Sequence, residues 1–118
     1  MTVRIITKDL SREILYGPYE RREANSLNIL SGYASASVAT RHLQSLASIS
    51  SEFRLRLLIG MTRDGAVTKS SHLAFQRLVS EFYSDQFFCS YMPITVPIHS
   101  KIYIWKQNNT PIKAWCCS

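Results

Sequence analysis

The feature that most constrains the fold is a repeated switch between two hydrophobic periods along the chain. Apolar runs at residues 27–30 and 53–59 have the length and content of buried strands, and a glycine closely follows each run. Between them, apolar residues recur at helical spacing as far as Ile49, and Ser35 or Ser37 can cap the start of that helix. A helix between two buried strands predicts a parallel strand pair.

The second half of the chain repeats this order and then departs from it. Ser70 or Ser71 can cap a second helix, whose apolar stripe runs from Phe75 to Phe82. Further strands are predicted at residues 87–92, 98–105 and 112–116, and the last two are joined by a polar hairpin turn at 107–111. We therefore predict an α/β fold whose mixed, mostly parallel sheet is flanked by helices and ends in a hairpin.

Length and composition favour one domain over residues 1–118. With 118 residues, 46% of them hydrophobic, the chain has apolar material for one packed core. Residues 1–26 are polar and charged, with a turn signal at Gly17-Pro18, so we interpret them as an N-terminal extension or short helix. The organised core is expected to span residues 27–118.

The charge balance favours an anionic partner but does not identify one. Fourteen Lys and Arg oppose eight Asp and Glu, for a net charge of +6, which suits nucleic acid or an anionic membrane surface. The basic residues are scattered rather than grouped in a block, so a surface that only keeps the protein in solution explains them equally well.

The sequence shows no sign of export or membrane insertion. No apolar run approaches the roughly 20 residues that span a bilayer, and the polar start is not a signal peptide, so we expect a cytoplasmic protein. Cys89, Cys116 and Cys117 are odd in number and two are adjacent, which argues against a disulfide framework. None has zinc-ligand spacing, so reduced thiols are expected.

The main candidate for chemistry is a His and a Lys in the predicted fourth strand. Side chains alternate along a strand, so His99 and Lys101 should share one face with Tyr103 and Trp105. Their ends can then converge on one anionic group, where the imidazole attacks phosphorus and the ammonium neutralises the equatorial oxygens. The alternative from the residues alone is a solvated edge strand, with the two aromatic rings packed under a loop.

Other polar residues give weaker signals. His42 and His72 fall in the two predicted helices, where a surface or boundary position is expected in preference to a second catalytic base. Gly32 can offer backbone N–H groups to a phosphate at a helix start, or it can simply form a tight strand-to-helix turn. The acidic residues are dispersed, without the paired spacing of a Mg²⁺ site, and no metal or cofactor is expected.

The segment 98–105 carries the H-x-K motif His99-Ser100-Lys101 and is followed by a polar hairpin and a return strand that ends in Cys117-Ser118. This arrangement resembles the phospholipase D superfamily, and most of all its restriction-endonuclease branch, typified by the NgoFVII family. In that branch the return strand leads into Gly-Ser-x-Asn, and Cys117-Ser118 stands where Gly-Ser would begin. The turns at residues 31–35 and 58–61 also look like family landmarks, so the resemblance covers roughly residues 27–118.

Two positions depart from the superfamily pattern. Lys106 stands where an Asp often follows the motif, and the restriction-enzyme branch commonly lacks that Asp. Cys117 replaces the Gly, and the sequence ends at Ser118, before the phosphate-binding Asn of the family. We therefore expect a fragment or a truncated gene product that is weakly active or inactive as it stands.

The resemblance implies a metal-independent endonuclease that cuts DNA in two steps. In that mechanism His99 forms a phosphohistidine, Lys101 and Ser118 hold phosphate oxygens, and Gly32 and Arg63 are candidates for contacts to the phosphate backbone. One H-x-K motif per chain implies a C2 homodimer with the active site at the twofold interface, and no membrane partner. Two alternatives remain: a catalytically inactive dimerisation or DNA-binding remnant, and a phosphodiesterase that acts on phospholipids or other diesters.

Overall fold

The computed structural model describes residues 10–62, 65–93, 95–96 and 98–117. Four helices and five strands follow one another in the order α1 (Leu10–Leu15), α2 (Gly17–Glu20), β1 (Ser26–Ser31), α3 (Ala36–Ile49), β2 (Arg54–Ile59), α4 (Lys69–Arg77), β3 (Phe87–Tyr91), β4 (Lys101–Gln107) and β5 (Thr110–Cys117). Helix α4 continues into a wider π-helical turn over Leu78–Phe82. The longest of these helices has 14 residues, and no helix in the described part is long and apolar enough to cross a membrane.

The five strands form one mixed sheet in the order β3-β2-β1-β4-β5. Strand β1 pairs in parallel with β2, and β2 pairs in parallel with β3. Strands β4 and β5 form an antiparallel hairpin, and β4 runs antiparallel to β1. The predicted α/β class, the mixed sheet and its C-terminal hairpin are therefore confirmed.

Side-chain caps set the starts of the two longer helices. Ser35 precedes α3 in an extended conformation, and its hydroxyl accepts the Val38 N–H at 3.2 Å, as predicted. Helix α4 begins earlier than predicted, because Thr68 accepts the Ser71 N–H at 3.1 Å. The predicted cap at Ser70 or Ser71 is wrong for this reason: both residues already lie in the first turn of the helix.

Helices α3 and α4 cover the same face of the sheet. Strands β1, β2 and β3 succeed one another in one direction, so the two right-handed connections that α/β folds favour lie on the same side. One hydrophobic cluster forms there, in which α3 and α4 pack against alternate residues of the strands. Its largest fully buried members are Leu27, Leu43, Leu46, Phe53, Leu55, Ile59, Phe75, Phe87 and Trp105.

The first two helices also belong to this core. Trp105 is fully buried, and its indole N–H donates to the Ile14 carbonyl at 2.6 Å. Residue Pro18, four positions after Ile14, has no N–H to offer that carbonyl, so the indole takes the place of a helical hydrogen bond. Tyr19 stacks on the same indole, with the ring centres 6.4 Å apart. The expectation that the organised core starts at residue 27 is wrong, because Trp105 supplies a partner that is distant in sequence.

Candidate active site

The candidate site lies where the parallel strands β1 and β2 end. Their pairing continues past the strands, with the Gly60 N–H donating to Ser31 O and the Met61 N–H donating to Gly32 O, each at 2.8 Å. The segment that leads into β4 crosses this edge of the sheet, because the Ile98 N–H donates to Gly60 O at 3.1 Å. Strand β4 starts only at Lys101, so the predicted start at residue 98 is wrong and His99 lies just before the strand.

Gly32 and Gly60 allow this crossing because neither has a side chain. A Cβ atom at Gly32 would lie 3.0 Å from the His99 Cα, and one at Gly60 would overlap the Ile98 carbonyl oxygen. Both contacts are with backbone atoms, which cannot rotate away as a flexible side chain can. The two glycines therefore allow the backbone at Ile98 and His99 to lie close against the end of the sheet.

His99 is exposed at this edge and is supported by an aromatic ring. The rings of His99 and Tyr33 meet edge to face, with centroids 6.1 Å apart and an interplanar angle of 65°. Tyr33 is itself 57% exposed, in the turn between β1 and the cap of α3. Among the residues that the structure describes, none hydrogen-bonds the His99 imidazole. The imidazole is therefore available to an incoming substrate.

Lys101 is the first residue of β4, two residues after His99, and it is also exposed. It pairs in register with Cys117 on β5. Within the described part of the chain no carboxylate forms an ion pair with Lys101. Its ammonium group is thus free to neutralise a charge brought by a ligand.

A pocket of about 560 Å³ adjoins Lys101 on the helix-covered side of the sheet. Its floor is apolar and includes Ile29 and Leu57, while Tyr33 and Tyr103 contribute aromatic walls. Burial raises the pKa of Tyr103, and the nearby Cys117 thiol adds to this, so the phenol keeps its proton at neutral pH. Lys101 and Tyr103 share this side of β4 as predicted, and Trp105, the next residue on that side, points into the core.

The two other histidines are held in structural contacts. His42 is buried, which corrects its expected surface or boundary position; its Nε2–H donates to the Leu15 carbonyl at 3.0 Å, and burial lowers its pKa. His72 is partly buried in α4, and its Nδ1 lies 2.8 Å from the Tyr91 hydroxyl. His42 thus ties α3 to α1, while His72 occupies a boundary position as expected.

The remaining predicted site residues divide into two groups. The structure brings Gly32 into contact with the His99 backbone, where its steric role is clear. Arg63 and Ser118 lie outside the described residues. In the part of the chain that is described, no three His, Cys, Asp or Glu side chains come together as a possible metal site. Cys89, Cys116 and Cys117 are free, and burial raises the pKa of the Cys89 thiol to about 11.

A family model for the NgoFVII restriction endonuclease N-terminal PLD domain matches residues 8–118, which is nearly the whole chain. The chain belongs to this family. It is therefore a restriction-endonuclease-like domain with a phospholipase-D-like fold, in agreement with the resemblance seen in the sequence. Searches of curated proteins and of solved structures gave no match to this NgoFVII-type domain.

Sequence reasoning missed two contributors to the site of this NgoFVII-type domain. Tyr33 contacts His99 across a gap of 66 positions in the chain (99 − 33 = 66), and nothing local to either residue indicates that contact. Gly60 is expected from the sequence to end a strand and to belong to a family landmark, but not to let another segment cross the sheet edge. A glycine directly after each of two adjacent parallel strands was the available signal, because it predicts that another segment passes close over that edge of the sheet.

Proposed function

We propose that this domain is the catalytic unit of a cytoplasmic, metal-independent DNA endonuclease that works through a phosphohistidine on His99. The observation that supports this most is the exposed imidazole of His99, which has no described hydrogen-bond partner and lies at the sheet edge two residues before the exposed Lys101, in a chain of a restriction-endonuclease family. A nucleophile and a fixed cation within two residues of each other suit attack on a phosphodiester.

In the first step a nitrogen of the His99 imidazole attacks the phosphorus of a DNA phosphodiester. A P–N bond forms, the P–O bond to the leaving strand breaks, and a second histidine donates a proton to the departing oxygen. In the second step that histidine takes a proton from water as the water attacks phosphorus. The P–N bond then breaks, and its electron pair returns to the imidazole of His99.

Lys101 supplies positive charge where the phosphoryl oxygens gain negative charge. Its position at the first residue of β4 fixes its backbone in the sheet, and no described carboxylate competes for its ammonium group. We assign Ser118 to the same phosphate oxygens, and Gly32 and Arg63 to neighbouring phosphates of the DNA backbone. In this role Gly32 would add a contact to the steric function that its place beside His99 already gives it.

The second histidine is assigned to the partner in a homodimer. His42 is buried and bonded to Leu15, and His72 is engaged with Tyr91, so neither is as available as His99. A twofold axis next to the exposed His99 edge brings a second copy of His99 to the same phosphate. One composite site per dimer then contains one nucleophile and one general acid.

The test is DNA cleavage in the presence of EDTA. Cleavage should persist with the chelator, disappear in His99→Ala, and fall by about a hundred- to a thousandfold in Lys101→Met, because a positioned charge at the transition state is lost. Lys106→Met is the matched control, since it removes a lysine from the other side of the same strand. A covalent DNA–protein adduct should accumulate in the active protein, and its P–N bond to His99 should be stable to base and labile to acid. A requirement for Mg²⁺, or full activity in His99→Ala, contradicts the mechanism.

Mixing tests the shared site separately. In equal mixtures of wild type and His99→Ala that exchange subunits, only wild-type pairs hold both histidines, so activity should fall to about a quarter of the wild-type value. A fall to about half would show that each chain acts alone. DNA binding without any cleavage would support the inactive remnant instead, and competition by phospholipid but not by DNA would support the phosphodiesterase that acts on phospholipids or other diesters.

A further inference from the structure

One face of the sheet carries none of the helices that the structure describes. The pocket on that face is lined by strand residues alone, from β1, β2, β3 and β4. The outward-facing side chains of Leu30, Leu58, Ile102 and Ile104 are only partly buried, and none of them joins the core cluster on the other side. All-parallel sheets occur almost only with both faces covered, and three of the five strands here are mutually parallel, so this partly apolar face is expected to bury against a further layer.

The strand registers arrange this open face in three rows that run across the sheet. The row nearest the ends of β1 and β2 contains Ser90, Leu58, Leu30, Ile102 and Cys116. The middle row contains Phe88, Arg56, Asn28, Ile104 and Ala114. The row at the starts of β1 and β2 contains Arg54, Ser26 and Lys106. Apolar residues therefore dominate the row at one end of the face, whereas the cations lie in the row at the other end and, through Arg56, in the middle row.

The charges on this open face have a single sign. Arg54, Arg56 and Lys106 are the charged side chains of its described strands, and no Asp or Glu occurs in any of the five strands. Among the described residues none forms an ion pair with these three cations. Arg56 lies over the Phe88 ring, with its guanidinium carbon 4.7 Å from the ring centre, and this cation–π contact restrains the guanidinium group.

We propose that the open face binds an amphipathic helix that carries an apolar stripe and acidic residues at one end. The stripe covers the apolar rows, and the acidic end meets Arg54, Arg56 and Lys106. A second copy of this chain fits less well, since its own open face brings the same cations and no carboxylate. Nucleic acid would find its phosphates opposed by aliphatic side chains over most of the surface. This inference rests on the fold and the charges of the face, and not on the proposed nuclease activity.

The test uses two synthetic helices of about 18 residues, since isolated helices shorter than about 15 residues are marginal in water. Both carry the same leucine stripe; one has glutamates at one end and the other has lysines there. Binding to the full chain is followed by the fluorescence anisotropy of a dye on each peptide. The acidic helix should bind at least about tenfold more tightly than the basic one.

Charge reversal locates the binding. Arg56→Glu should weaken the binding of the acidic helix and strengthen the binding of the basic one. Destabilisation of the protein alone cannot produce such a reversal of preference. Arg54→Glu, in the row next to that of Arg56, should act in the same direction. Arg41→Glu is the matched control: it reverses an exposed arginine on α3, on the helix-covered side, and should leave both affinities unchanged.

Four results overturn the inference. Equal affinity for the two helices, or no binding of either, would contradict the charge complementarity on which the inference depends. Self-association that Arg56→Glu abolishes would assign the face to a second copy. Loss of DNA binding in Arg56→Glu, with the peptides inert, would make the face a nucleic-acid surface. Because none of these measurements depends on cleavage, a failure of the nuclease mechanism leaves the test intact.

Discussion

Replacing Gly60 by alanine should move His99 without touching it. The added Cβ would overlap the Ile98 carbonyl oxygen and lie 2.9 Å from the Ile98 Cβ, whereas ordinary contacts begin near 3.4 Å. Residues 98–99 must therefore retreat by about 0.5–1 Å, the scale at which misplacement of a reacting group can cost about a hundredfold in rate. Overpacking of this kind also costs about 1–3 kcal/mol of folding stability.

Two measurements check this expectation, with Gly65→Ala as the matched control. Gly65 also lies in a loop, but it has open space around it and a φ of +75°, so alanine there meets no neighbour and suffers only local strain of about 1–2 kcal/mol. The NMR chemical shifts of the His99 ring protons depend on the nearby Tyr33 ring. They should differ from the wild-type values in Gly60→Ala and equal them in Gly65→Ala. Unchanged His99 shifts and wild-type thermal stability in Gly60→Ala would refute the close approach on which the site depends.

Three further predictions concern the helices and the core. Burial lowers the pKa of His42, so the unfolded chain takes up this proton first and the free energy of unfolding should decrease as the pH falls below about 6.5. His42→Gln should flatten that decrease in thermal melts at stepped pH. Thr68→Ala should cost about 1 kcal/mol in urea denaturation through loss of the α4 cap, whereas Ser70→Ala should cost little. Trp105→Phe should cost about 1–3 kcal/mol, because the Ile14 carbonyl loses its buried donor, and Trp115→Phe on β5 should cost less.

The order of elements could be predicted from the sequence because each one carries its own local signal. Hydrophobic period identified β1, α3, β2 and α4, and the hairpin turn identified β4 and β5. The cap of α4 was placed two to three residues late because Thr68, Ser70 and Ser71 are all hydroxyl residues, and only the backbone conformation decides which of them stands outside the helix.

The site was predictable in part. Alternation along a strand correctly places Lys101 and Tyr103 on one side of β4. It cannot show that β4 begins at Lys101, because an isoleucine followed by a histidine is equally compatible with a strand and with a segment that crosses the sheet edge. The burial of His42 was missed because its partner is a backbone carbonyl of α1, and a carbonyl belongs to every residue type. The contacts made by Tyr33 and Trp105 were missed because they join distant parts of the chain.

The last turn of α1 has a consequence for when the protein can become native. The Ile14 carbonyl accepts a hydrogen bond from the indole of Trp105, 91 residues later. The Leu15 carbonyl accepts one from the imidazole of His42, 27 residues later. A helix of six residues is too short to persist in water without such support. During synthesis the first helix therefore leaves the ribosome unstructured and remains so until β4 has been made. Although α1 precedes its partners in the chain, it is therefore among the last elements to fold, and until then its apolar side is exposed to chaperones and proteases.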